Sequence, residues 1–323
     1  MNRHRTAISV LLATGTLLAG ALTAASPSAA VPRPASQGSW SAERMRAATP
    51  LDITAAPGAT ARTAPTTSEH PTTIAPTPAS SSPTGFLKDS LKASPAAFPQ
   101  PGGAWTSGGA VVKTSGRVFF TFNGKSASCS GDSITSANGS TVITAGHCVK
   151  YQGAWHTDWI FVPGYDNGNA PYGQWRATKT FATDQWVASE DMNMDVGLAV
   201  VAPLDGRTLS QTVGAQGIVF NGGYNKKMYA FGFPAAAPYD GTKLVYCSGN
   251  SGKDFLLTKD HSLPCNMTGG SSGGPWFQDF NEATGLGTQV SVNSFGYTFL
   301  PNRMYGPYFG NEAKAAYDKA QTA

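Results

Sequence analysis

Charge is scarce in this chain. Only 13% of its 323 residues are Asp, Glu, Lys or Arg, and after residue 100 the 15 basic residues are matched by 15 acidic ones. A domain so balanced lacks the basic footprint that binding a phosphate backbone requires, so no nucleic-acid partner is expected. Aromatic residues are nearly missing from the first 100 positions, which hold three of the 34 (Trp40, Phe86, Phe98) but 12 of the 22 prolines. That stretch cannot supply a core of its own. Cysteine is limited to four residues with no Cys-x-x-Cys, and no His lies at zinc-ligand spacing, so neither a metal nor a cofactor is expected. The one long apolar run, residues 7–22, is interrupted by Thr14, Gly15 and Thr16. It falls short of the roughly 20 residues a spanning helix needs, so no membrane partner is expected.

What is present begins with that run. Arg3, His4 and Arg5 precede it and the small residues Ser28-Ala29-Ala30 follow it, the three-part pattern of a secretory signal peptide over residues 1–30. A secreted, extracellular chain is expected, and disulfides are then permitted. Residues 31–103 are rich in Ala, Pro, Thr and Ser, and are expected to be disordered or weakly structured, with one short helix near residues 41–46. They read as a pro-segment that inhibits or assists folding, or as a passive linker. Residues 104–323 form the folded domain.

Within that domain, short Val-, Phe-, Tyr- and Thr-rich stretches at 117–122, 140–144, 159–162, 196–201, 227–231, 243–246 and 288–295 alternate with Gly, Asn, Asp and Pro. The pattern predicts an all-β fold. A helical period appears only at the C-terminus, where Ala313, Ala316, Tyr317 and Ala320 follow a candidate cap at Asn311. Composition leaves a sandwich, one large barrel or two small ones open. The cysteines fall as Cys129/Cys148 and Cys247/Cys265. Three disulfide connectivities are open, and sequence-local pairing is the simplest.

Two segments carry chemistry. Gly269-Gly270-Ser271-Ser272-Gly273-Gly274-Pro275 surrounds a hydroxyl with glycines that let backbone N–H groups approach a developing oxyanion. Thr144-Ala145-Gly146-His147-Cys148 ends a β-like run with the side chain best suited to relay protons near neutral pH. An α/β-hydrolase elbow needs its histidine after the serine, and none of the five histidines (His4, His70, His147, His156, His261) lies beyond Ser272. An Asp, His, Ser order through Asp132 requires alternating helices and strands that the sequence lacks. The order His, Asp, Ser remains. Its best carboxylate is Asp195, at the mouth of the apolar run 196–201, with Asp191 as rival; Ser271 is the rival to Ser272.

Together, Thr144-Ala145-Gly146-His147-Cys148, Asp195-Val196-Gly197-Leu198 and Gly270-Ser271-Ser272-Gly273-Gly274-Pro275 resemble the three active-site blocks of the chymotrypsin/trypsin-like serine proteases. The size and secreted leader look most like the bacterial extracellular, glutamyl-endopeptidase-like branch. The resemblance covers about residues 110–310 and implies two antiparallel six-stranded β-barrels with the site between them. It implies His147 as general base and acid, Asp195 as its orienting carboxylate, Ser272 as nucleophile, and the N–H groups of Gly270 and Ser272 as oxyanion hole. It also implies a Cys129–Cys148 bridge, and Ser294-Phe295-Gly296 as the segment that aligns substrate. His156 and His261 are expected to be structural or surface residues. The implied partners are protein or peptide substrates, and a monomer is expected.

Two departures from the family pattern bear on activation and specificity. Ser271 stands where trypsin-like zymogens place the Asp that pairs with a new N-terminus, so activation must differ. Asn293 replaces the pocket histidine of Glu-cleaving relatives, and Asn266 stands near the position of trypsin's pocket Asp, which argues against Glu, Arg or Lys preference. The competing readings are a catalytically silent binding module on the same fold and an esterase-like or transferase activity with the same acyl chemistry.

Overall fold

Six strands between residues 115 and 201 close on themselves. In the computed structural model, which describes residues 40–55, 62–80 and 96–323, the order is Lys125–Ile134, Ser115–Phe122, Thr157–Pro163, Trp175–Ala182, Gly197–Val201 and Thr141–Thr144, which returns to Lys125–Ile134. All six pairings are antiparallel. Alternation along Ser115–Phe122 sends Val118 and Phe120 into the barrel core beside Trp159, Phe161 and Leu198. The intervening Phe119 packs outward with Ile160 and Val162.

The second half encloses Met228, Ala230, Leu263 and Trp276 between two sheets. One runs Gly217–Phe220, Leu286–Val292, Pro275–Asn281, Lys227–Gly232, Val245–Asn250; the other contains His261–Pro264, Leu300–Gly306 and Phe295–Tyr297. The expected all-β, two-part architecture is therefore present, and one of the strand pairings within residues 104–323, Gly217–Phe220 against Leu286–Val292, is parallel. The helix Asn311–Gln321 buries Ala313, Ala316, Tyr317 and Ala320 as its period implies. Asn311 is its first residue rather than its cap, and its side-chain oxygen accepts from Ser68 and Asn221. Both sequence-local disulfides form, Cys129–Cys148 and Cys247–Cys265.

The leader is the main difference from expectation. Residues 1–30, expected to be a signal peptide, lie outside the described residues. Residues 40–55 and 62–80, though poor in core-forming side chains, take structure from the domain they lie on. The short helix forms at Ala42–Ala47, capped by Ser41. Thr49–Pro50, Ile53–Ala55 and Thr72–Ile74 then each add a strand to the edge of a different sheet. Composition reflects only what the leader can bury against itself. Sheet edges offer backbone hydrogen bonds that need no apolar side chains. Among the described residues no helix is long and apolar enough to cross a membrane.

Candidate active site

Asp195 owes its position to two successive caps. Thr183 accepts from Trp186 N at the start of the helix Asp184–Ser189, and Asp191 accepts from Asn193 N at the turn Met192–Met194. The chain then enters the buried strand Gly197–Val201 with Asp195 at its mouth. Its carboxylate accepts three hydrogen bonds: His147 N at 2.7 Å, His147 Nδ1 at 2.7 Å and Ser294 Oγ at 2.5 Å. Both members of the His147–Asp195 pair are fully buried. With Nδ1 donating to the carboxylate, the lone pair of the neutral ring is left on Nε2, which has no hydrogen-bond partner. Gly146 keeps the carboxylate in place: a Cβ there would stand 2.7 Å from Trp186 Cγ and 2.9 Å from Asp195 Oδ1.

The serine segment is fastened to the histidine segment across the two halves. Ser130 N donates to Ser272 O at 2.7 Å and Ser130 Oγ to Gly270 O at 2.9 Å. Cys148 Sγ lies 3.7 Å from Ser272 O. Gly273, at φ +83°, packs so closely that a Cβ would come 2.0 Å from Thr144 Oγ1. Gly270, at φ +93°, turns its N–H to the cleft. The oxygen that meets this N–H belongs to the leader: Leu51 O accepts from Gly270 N and from Ser272 Oγ, both at 3.4 Å.

The rivals have other work. Asp191 accepts from Arg62 N and Thr63 N as well as Asn193 N. Ser271 Oγ donates to Thr268 O. Asp132 accepts from Ser115 Oγ rather than from His147, and burial pushes its carboxyl up to about 8. His156 lies stacked on Phe120 with Nε2 on His147 O, so it holds the turn that carries His147. His261 is buried, and desolvation pushes its imidazole down to about 4.

The residues expected to meet substrate divide into two groups. Ser294 spends its hydroxyl on Asp195, and Phe295 is buried against Tyr305. Gly296 lies on the strand Phe295–Tyr297, whose edge pairs with Ile53–Ala55 of the leader. Asn266 lines a cavity of about 210 Å³ with Thr268, Gly296, Asn302, Arg303 and the leader's Asp52. Asn266 Oδ1 is already held by Tyr239 OH at 2.6 Å. Asn293 is fully buried: it receives Trp276 Nε1 and donates to Phe231 O and Ser271 O, bracing the serine loop from behind. Sequence reasoning did not find Leu51 or Asp52. Its one available signal was Trp40, the sole tryptophan of an otherwise aromatic-poor leader.

The fold also occurs in solved structures. Protease Anisep from Arthrobacter nicotinovorans is 42% identical, with a TM-score of 0.64 over 69% of this chain and 100% of that one. The chain belongs to the trypsin-like serine protease family. This protease is also 41% identical to AL20, a thermostable serine protease from an extremophilic microorganism, with a TM-score of 0.63 over 66% of this chain and 99% of that one. A Glu endopeptidase at 16% identity and a TM-score of 0.56 shares the fold. Among curated proteins, an extracellular metalloprotease of Bacillus subtilis is 34% identical over 73 residues, which are 22% of this chain and 23% of that protein. No family model matches the chain.

Proposed function

We propose that this protein is a secreted endopeptidase that hydrolyses protein or peptide substrates through an acyl-enzyme, with Ser272 as nucleophile, His147 as general base and acid, and Asp195 as orienting carboxylate. The domain of residues 104–323 carries the activity, residues 1–30 direct export, and residues 31–103 act as pro-segment. The observation that carries the reading is the three-donor grip on Asp195, which fixes the His147 ring with Nε2 unengaged.

Chemistry follows from that grip. Nε2 removes the Ser272 Oγ proton as Oγ bonds to the substrate carbonyl carbon, and the carbonyl π electrons move onto oxygen. The N–H groups of Gly270 and Ser272 stabilise that oxyanion, each worth about 3 kcal/mol in a site closed to water. The imidazolium, held by Asp195, then protonates the leaving amine as the C–N bond breaks. Water repeats the sequence on the acyl-enzyme and frees Ser272. Secretion is supported by the two disulfides and by the similarity over 73 residues to an extracellular Bacillus protease. The fold shared with a Glu endopeptidase supports placement near that branch. An acidic P1 preference has no such support, because Asn293, at the pocket-histidine position, is consumed by its own buried hydrogen bonds.

Cleavage of a mixed peptide library tests the reading, with the Ser272→Ala chain as blank. Turnover of peptide bonds that vanishes in the blank is expected. Turnover of esters without peptides would favour the acyl-transfer alternative. No turnover by either chain after removal of the leader would favour the silent binding module.

A further inference from the structure

The cleft is occupied. After the helix Ala42–Ala47, residues 49–55 cross it in one extended pass, and their polarity is unusual for the sheets they join. Thr49–Pro50 pairs in parallel with Ala127 and Ser128, and Leu51 N donates to Ser128 O at 2.9 Å. Past the nucleophile, Ile53–Ala55 pairs in parallel with Phe295–Tyr297. Every other pairing of those two sheets is antiparallel. A peptide of opposite polarity would pair antiparallel with both edges, the geometry that gives the better-aligned ladder.

We infer that residues 40–55 are a built-in inhibitor that lies backward in the substrate cleft, held by an anchoring site outside it. The inference rests on the proposed role of Ser272. Leu51 O receives both the Gly270 N–H and the Ser272 hydroxyl. A hydroxyl that donates to Leu51 O is not donating to His147 Nε2, and that nitrogen is sealed off without a partner. The proton relay is therefore open while the leader is in place. Asp52, next in the chain, packs its Cβ against Gly269. Both sides of the Leu51–Asp52 bond remain tied to sheet edges, so a cut there would leave its ends adjacent and ready to rejoin.

The anchor lies at Trp40 and Arg44. Trp40 is 1% exposed, packs 5.5 Å from Phe119, and donates Nε1 to Asp158 O at 3.0 Å. Its backbone is clamped by Gln174, which accepts from Trp40 N and donates to Trp40 O. Arg44 stacks 3.5 Å over the Trp40 ring and reaches Asp158 Oδ2 at 2.7 Å, with further bonds to Ser126 and Thr121. None of these domain partners belongs to the proposed catalytic machinery. The site they form takes an indole followed four residues later by a guanidinium, a recognition that weak cleft contacts at 3.4 Å could not supply.

The test uses the full chain and the rate at which a fluorophosphonate labels Ser272. Arg44→Ala, at a half-exposed position, is expected to raise that rate at least fivefold, and Trp40→Ala further. Intact-mass analysis is expected to find the Leu51–Asp52 bond whole after hours at neutral pH. Equal, measurable labelling of the unaltered chain and both variants would overturn the inhibitor while leaving Ser272 as nucleophile. Prompt cleavage at Leu51–Asp52 would show the leader to be a substrate and overturn it equally. No labelling of any chain would remove the Ser272 reading and the inhibitor with it. Should Trp40→Ala fail to fold, Arg44→Ala alone decides.

Discussion

The N–H of Ser130 and the carbonyl of Ser272 share a 2.7 Å hydrogen bond that crosses from one half of the protein to the other. It fastens the Ser272 loop to the barrel that carries His147, with Gly273 wedged beside it. Gly273→Ala should therefore be far more harmful than its size implies: the methyl would overlap Thr144 Oγ1 and Ser130 O at 2.0 and 2.4 Å, and φ +83° disfavours it as well. A loss of about 3 kcal/mol or more in urea unfolding and of nearly all peptidase activity is expected. Near-native stability and turnover would contradict the packing described.

Asp195→Asn preserves shape but removes the charge that receives three donors. Activity should fall about ten-thousand-fold with little change in stability or KM. Ser294→Ala removes one donor and leaves two, so kcat should drop about tenfold, roughly 1.4 kcal/mol, again at nearly constant KM. A KM-dominated loss in either variant would assign these residues to substrate binding instead.

Two buried groups give stability opposite slopes with pH. Asp132 carries a folded pKa raised to about 8 by burial, so the folded state holds a proton that the unfolded chain releases near the ordinary carboxylate value of 3.8. Its effect is to lower stability progressively from about pH 4 to about pH 8. His261 is depressed to about 4 from 6.5, so the unfolded chain binds the extra proton and stability falls as pH drops through that window. Urea titrations at several pH values should show Asp132→Asn flattening the alkaline decline and His261→Gln flattening the acid one. Unchanged slopes would contradict these burial effects.

Each disulfide closes a short loop, with sequence separations of 19 and 18, and removing either should cost on the order of 3 kcal/mol. Their effects on catalysis should differ. Cys148 adjoins His147 and touches Ser272 O, whereas Cys247–Cys265 lies in the core of the second half. Replacing Cys129 and Cys148 by Ser should lower kcat at temperatures where the fold persists, and replacing Cys247 and Cys265 should leave it near normal.

Much of the site was legible because its chemistry forces local sequence. Gly146 must clear Asp195, Gly273 must clear Thr144, and Asp195 must stand at the mouth of an apolar strand, so all three leave a mark on their neighbours. Strands such as Gly197–Val201 and Lys227–Gly232 were readable for the same reason. Lys125–Ile134 was not: four serines and a glycine give it little β-propensity, and its register against Ser115–Phe122 comes from pairing, Ser115 opposite Asp132 through Phe122 opposite Lys125. The leader escaped for a related reason. Its order is lent by sheet edges and by the Trp40 site, both made of residues more than 70 positions away.

Mass spectrometry after a fluorophosphonate, on the chain freed of its leader, tests the central claim most directly. One adduct per molecule is predicted, located on Ser272 by peptide mapping and absent from Ser272→Ala and His147→Ala chains. An adduct on another residue, or the same adduct yield when His147 is removed, would contradict the account.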